Sequence, residues 1–152
     1  MLVYFLRHAI AQDWAATDSL RDLTDEGLAQ ARSITEKFKQ LFPVIDIVLC
    51  CPYNRAQQTA FAEMTLFPGL ALTLDESIKS GGDVCSVLDA IEGLDVRHFL
   101  IVSHNPFLSN LLSVMVDGTM ESQRYVDNVT LHCVSMNVVA SVCGEIAYTL
   151  QP

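Results

Sequence analysis

The chain has 152 residues, 51% of them hydrophobic, and a formal net charge of −9. That length fits one domain with a proper buried core, and the composition excludes a disordered chain. The acidity argues against nucleic acid and anionic membrane surfaces as partners, because their phosphates are repelled.

No apolar run reaches the length of a membrane span, each being broken by charge, Pro or Gly. The apolar stretch at the N-terminus closes too early, at Arg7, to serve as a signal peptide, so a cytoplasmic protein is expected. The five cysteines are odd in number and mostly lie in apolar segments, which suits reduced core thiols rather than a disulfide framework. No His/Cys cluster has zinc-ligand spacing, so no metal is expected.

Leu2 to Leu6 is a run of apolar residues that ends abruptly in Arg7-His8. It reads as a buried strand of a parallel sheet. Side chains just past such a strand fall in the crevice where open α/β sheets bind ligands. The stretch from Ala9 to Asp22 reads as a loop over that crevice, with Trp14 a candidate to line it. A helix then opens at Leu23-Thr24-Asp25-Glu26-Gly27, with Thr24 as cap and Asp25 and Glu26 at the positive end of its dipole. Leu28, Ala31, Ile34, Phe38, Leu41 and Phe42 form its apolar stripe, Lys37 and Lys39 fall near its end, and Pro43 follows it.

Ile45 to Cys50 is the second strand expected, closed by Pro52. Asn54 is the expected cap of a helix from Arg55 to about Met64. An arginine in a first helical turn is opposed by the dipole unless an anion binds there. Leu70 to Leu74 is a short third strand, followed by Asp75-Glu76, a turn at Ser80-Gly81-Gly82, and a helix capped by Asp83 with Val84, Val87, Leu88 and Ile91 on one face. Phe99 to Ser103 is the fourth strand and leads into His104. Asn105-Pro106 reads as N-cap and first residue of a helix that runs to Gly118. Val129 to Leu150 alternates and contains Gly144, which suggests two edge strands. Strands alternating with helices make residues 1–152 a single α/β domain of three αβα layers, with a mostly parallel sheet and helices on both faces.

Three strand ends thus deliver Arg7, His8, Arg55 and His104 toward one place. A small cationic pocket in an acidic protein suits a single phosphoryl group better than a polyanion.

Four stretches carry a resemblance that spans the chain: Leu6-Arg7-His8; Leu23-Thr24-Asp25-Glu26-Gly27 with Gln30-Ala31; Pro52 to Ala60; and Val102-Ser103-His104-Asn105-Pro106. With them the sequence resembles the histidine phosphatase (phosphoglycerate-mutase-like) superfamily, and within it the short SixA-type phosphohistidine phosphatases. The resemblance implies that His8 is a nucleophile forming a phosphohistidine intermediate that water hydrolyses, and that no cofactor takes part. Arg7, Arg55 and His104 would surround the phosphoryl oxygens, with Asn105 among the phosphate-binding residues. This agrees with phosphoryl transfer being mostly positioning and electrostatic stabilisation. Glu76, in a Leu-Asp-Glu context like that of the family's proton donor, is the candidate general acid.

Two departures stand out: Ala9 replaces the Gly that usually follows Arg-His, and Cys50-Cys51-Pro52 replaces Ser-Pro. Neither cysteine has the spacing to Arg55 of a cysteine-phosphatase loop. The short chain leaves no room for an inserted cap, which suits a phosphohistidine on the surface of a signalling or phosphotransfer protein. A small phosphomonoester is the alternative substrate. A catalytically weakened phospho-binding module, motivated by Ala9, is the alternative of another class. Tyr125 is a further candidate to line the pocket, and a monomer is expected.

Overall fold

The computed structural model describes residues 1–41, 43–137 and 142–152. Strand β1 (Leu2–Arg7) lies inside a sheet of six strands, and its Val3, Tyr4, Phe5 and Leu6 are buried. Each such side chain contributes about 1.5–3 kcal/mol of burial. The other strands are β2 (Ile47–Cys50), β3 (Leu72–Leu74), β4 (His98–Ser103), β5 (Leu131–Met136) and β6 (Gly144–Leu150). Their spatial order is β3-β2-β4-β1-β5-β6. The first four in that order run parallel, while β5 is antiparallel to both β1 and β6.

Helices α1 (Asp25–Lys39), α2 (Asn54–Met64), α3 (Val84–Glu92) and α4 (Phe107–Asp117) connect these strands. The α/β architecture expected from the sequence is the one observed. The chain leaves β1 through α1 toward β2, on one side of the sheet centre, and leaves β4 through α4 toward β5, on the other. Adjacent parallel strands with diverging exits form a topological switch point, and a crevice opens at their carboxyl ends.

The capping expectations divide. Thr24 accepts from the Gly27 N–H and Asp83 from the Cys85 N–H, as their positions imply. Asn54 does not cap α2, for the helix begins with it; its Nδ2 donates instead to Asp22 Oδ1 at 2.9 Å. Asn105 likewise donates to the Val126 carbonyl at 2.9 Å, and Pro106 occupies the cap position rather than the first helical one. In both cases a partner distant in sequence outcompetes the local one.

The apolar stripe of α1 is narrower than expected. Ala31, Ile34 and Phe38 are buried, but Leu28 and Leu41 are exposed, Leu41 lying beyond the helix end. Phe42 lies outside the described residues. Gly27 allows a close approach, since a Cβ there would overlap the Ile10 carbonyl oxygen. That oxygen accepts the Thr24 N–H at 3.0 Å, so the start of α1 is pinned to the loop after β1.

Between α1 and α2 lies a fully buried carboxyl group. Glu63 Oε1 is 2.9 Å from Thr35 Oγ1, whose hydroxyl also reaches the Ala31 carbonyl at 2.8 Å. Burial pushes the Glu63 carboxyl up to about 8.

The C-terminal strands depart from expectation in one respect. Only β6 is an edge strand; β5 is interior, hydrogen-bonded on both sides. A register shift at Cys133/Val134 buries two consecutive residues of β5 and breaks the alternation that an edge strand would keep. The cysteines are all free thiols: Cys50, Cys51 and Cys133 are buried, whereas Cys85 and Cys143 are exposed.

Candidate active site

A cavity of about 390 Å³ occupies the crevice, lined by Arg7, His8, Asp18, Arg21, Arg55 and His104 among others. The parallel pairing of β1 with β4 sets Arg7 opposite Ser103, so His8 and His104 leave the sheet side by side. The His8 N–H donates to the Ser103 carbonyl at 3.0 Å, and the two imidazole centroids lie 6.0 Å apart. Arg55 enters from the first turn of α2, where the helix dipole favours an anion close by.

The hydrogen bonds of His8 fix its tautomer. Its Nδ1 lies 2.7 Å from the Ala9 carbonyl, which can only accept, so Nδ1 carries the proton. Nε2 is then unprotonated, and its lone pair accepts the Arg55 Nε–H at 3.2 Å. Burial is the main cause that lowers the His8 pKa to about 3, with the charges of Arg55 and Arg7 and nearby His104 adding to it against the pull of the Ala9 carbonyl. His8 is a neutral imidazole whose Nε2 lone pair carries no proton and is held by the Arg55 N–H. This is the form a nucleophile requires.

Ala9 is fully buried, and its backbone lies outside the left-handed region that would call for glycine. Its N–H donates to Thr59 Oγ1 at 3.0 Å, and the Thr59 hydroxyl donates to the Arg55 carbonyl at 2.8 Å. One hydroxyl therefore ties the exit of β1 to the first turn of α2. It holds the His8 and Arg55 side chains in register.

The remaining donors face the cavity with spare capacity. Arg7 NH1 donates to Tyr125 Oη and to the Val126 carbonyl, both at 3.0 Å, while buried Arg7 Nε has no protein partner. Both ring nitrogens of His104 are buried and unpartnered, and burial, followed by the charge of Arg55, lowers its pKa to about 4. A buried polar group without a partner costs about 1–3 kcal/mol. Arg7 Nε–H and the one N–H of the neutral His104 ring are donors that the protein itself does not use. Tyr53 stacks on the His104 ring at 5.1 Å and lies under the Arg55 guanidinium at 5.0 Å, fixing both.

The structure brings together Arg7, His8, Arg55, His104 and Asn105, all of which line the cavity. Glu76 is not among the lining residues. It lies in the 3-10 turn Glu76–Ile78, largely exposed and ion-paired with Lys79, beside a second depression that shares Tyr53 and Ser80 with the cavity. Trp14 is exposed and does not line the cavity, and Tyr125 reaches it only through Arg7. Cys51 is buried, and burial pushes its thiol pKa up. Sequence reasoning missed Asp18, Arg21 and Tyr53. Tyr53 lies inside the Pro52–Ala60 stretch, where its position two residues before Arg55 is a usable signal, whereas Asp18 and Arg21 sit in a polar loop with no periodicity to read.

Comparison with known proteins agrees with this geometry. The model of the histidine phosphatase superfamily (branch 1) matches residues 3–79, which hold the β1 exit and the Arg55 helix. The phosphohistidine phosphatase SixA of Escherichia coli (strain K12) is 32% identical over 122 residues, covering 78% of this chain and 76% of that protein.

The chain belongs to the histidine phosphatase superfamily.

A SixA homologue from Haemophilus influenzae is also 32% identical, over 125 residues, covering 74% of this chain and 76% of the homologue. The structure of the protein histidine phosphatase SixA complexed with tungstate superposes with a TM-score of 0.88 at 25% identity, covering 100% of this chain and 97% of that one. As a member of this superfamily the protein is a phosphatase. Among the described residues, no helix is long and apolar enough to cross a membrane.

Proposed function

We propose that this protein hydrolyses phosphohistidine on a signalling or phosphotransfer protein, acting as a cytoplasmic monomer through a covalent intermediate on His8. The observation that carries this reading is the His8 tautomer. Nδ1–H is committed to the Ala9 carbonyl, and the Nε2 lone pair faces the cavity under Arg55. The names of its SixA relatives support phosphohistidine as the substrate.

In the reaction, the phosphoryl group enters among Arg7, Arg55, His104 and Asn105, which supply donors to its oxygens. Arginine suits this task because its planar fork of donors stays charged. His8 Nε2 attacks phosphorus as the bond to the leaving group breaks, and the phosphorylated ring keeps its Nδ1–H on Ala9. Water then attacks the phosphorus, the P–Nε2 electron pair returns to His8, and phosphate and a proton leave. No step calls for a metal or nucleotide. Glu76 is our proposed proton donor for ester leaving groups, supported by its place beside the rim shared with Tyr53 and Ser80.

The test is phosphate release from a phosphohistidine-bearing phosphotransfer protein by wild type and His8→Ala. We expect release by wild type and none above background in the variant. Wild type that cleaves only small phosphomonoesters assigns a metabolite substrate instead, and tight phosphopeptide binding without any turnover assigns a binding module.

A further inference from the structure

Asp18 places a carboxylate directly against the cationic side chains of the cavity, Arg55 and Arg21. It lies on the loop between β1 and α1, in the 3-10 turn Asp18–Leu20, and lines the same cavity as His8 and His104. Its Oδ2 accepts from Arg55 NH2 at 2.9 Å, its backbone carbonyl from Arg55 NH1 at 2.7 Å, and its Oδ1 from Arg21 NH1 at 3.0 Å. These bonds, that from Arg55 first, hold the carboxyl below its usual range. More than half of the side chain stays exposed, at 57%, whereas His8 and His104 are 8% and 3% exposed. Asp18 therefore stands toward the mouth of the cavity that His104 also lines. Asp13 lines the same cavity.

For a simple phosphate ester this carboxylate is a hindrance, since it repels the anion that Arg7 and Arg55 attract. It fits a ligand that is anionic at one end and cationic next to it. Phosphohistidine with its ring protonated is such a ligand, carrying a phosphoryl group on one ring nitrogen and a proton on the other. With the phosphoryl group at the base of the cavity, the cationic ring comes level with Asp18.

We infer that Asp18 selects phosphohistidine over phosphate esters by accepting the N–H of the substrate's protonated imidazole. This rests on the phosphohistidine reading above. Each carboxylate oxygen has a second lone pair, so Asp18 takes this bond without releasing Arg55 or Arg21. The step then balances without an enzymic acid. His8 Nε2 forms a bond to phosphorus, the P–N bond of the substrate breaks, and its electron pair returns to the leaving nitrogen. The proton already on the other ring nitrogen stays there, so the ring leaves as neutral imidazole. An ester oxygen has no such internal proton. The groups facing Asp18 are Arg55 from α2, Arg21 from its own loop and His104 from the end of β4, with Arg7, His8 and Asp13 across the cavity.

The experiment compares wild type, Asp18→Asn and Asp18→Glu on phosphoimidazole and on p-nitrophenyl phosphate. We expect the ratio of kcat/KM for phosphoimidazole to that for the ester to fall about tenfold in Asp18→Asn, the effect of one charge interaction of ordinary strength, and to recover in Asp18→Glu. The alkaline limb of kcat for phosphoimidazole should also move to lower pH in Asp18→Asn, because the bound ring loses its proton more readily. The titrations of His8 near 3 and His104 near 4 lie well below that limb. If Asp18 only positions Arg55, both substrates fall together. A ratio that stays within about threefold of wild type, with an unmoved limb, overturns the assignment. Wild type that cleaves the ester but not phosphoimidazole overturns the phosphohistidine reading itself.

Discussion

Strand β4 has a histidine at each end, and the two live in opposite surroundings. His98 opens the strand half-buried, its Nδ1 3.1 Å from Asp46 Oδ2, which also accepts the backbone N–H groups of Arg97 and His98 at 2.8 Å each. Those bonds, that from Arg97 foremost, hold the Asp46 carboxyl below its usual range. His104 follows the strand fully buried, unpartnered, and facing Arg7 and Arg55 across the cavity. Residue type and strand are the same, so the polarity of the sheet makes the difference. The carboxyl ends of the parallel strands gather His8, Arg55 and His104, whereas the amino end of β4 is closed by a satisfied local pair.

The sharpest way to break this comparison is to remove each histidine in turn. We expect His104→Ala to lower phosphohistidine kcat/KM about 100-fold or more, the usual loss for one preorganised donor to a charged transition state. His98→Ala should stay within about threefold and cost at most about 1 kcal/mol of stability, as a surface pair does. Steady-state phosphate release and thermal melts decide between them, and similar catalytic losses in both variants would remove the distinction.

A buried titratable group away from the cavity sharpens it further. The folded pKa of Glu63 is raised from 4.5 to about 8, so its contribution to stability is fully present below 4.5 and is lost as pH rises through 8. A change of that size is worth on the order of 5 kcal/mol. Glu63→Gln, which needs no proton to be neutral, should flatten this alkaline decline in urea midpoints measured across pH. His8 and His104 act with the opposite sign. Their folded pKa values lie below 6.5, so their contribution is present above 6.5 and is lost as pH falls toward 4 and 3. That acid limb should survive in Glu63→Gln.

The smallest effect concerns Glu76, close to the cavity but exposed and paired with Lys79. Glu76→Gln should lower p-nitrophenyl phosphate turnover about tenfold further than phosphohistidine turnover, a modest loss for a general acid. Equal losses on both substrates would remove Glu76 from any proton-transfer role.

The strand exits were legible because two signals coincide there: an apolar run long enough to be buried, and charge immediately after it. Arg7, His8 and His104 were found this way, and Arg55 by its unfavourable place in a first helical turn. The capping roles of Asn54 and Asn105 were misread because their amides bond across the fold, to Asp22 and Val126. The interior position of β5 was hidden by a bulge, which no single-strand pattern reveals. Asp18 was invisible for a related reason. Its partners Arg55 and Arg21 give it meaning, and one of them comes from a different element.

The placement of β1 also shapes how the molecule is made. The strand is synthesised before α1, β2, α2, β3 and α3, all of which precede both of its neighbours, β4 and β5. Until they are synthesised, Leu2 to Leu6 is an unpaired apolar strand with nothing to shield it. Pairing across so much sequence is slow, and such exposed segments are where nascent chains aggregate. The crevice therefore comes into being late, when β4 and β5 close on the strand that carries His8, and a ribosome-bound fragment ending before β4 should bind the chaperones that recognise extended apolar segments.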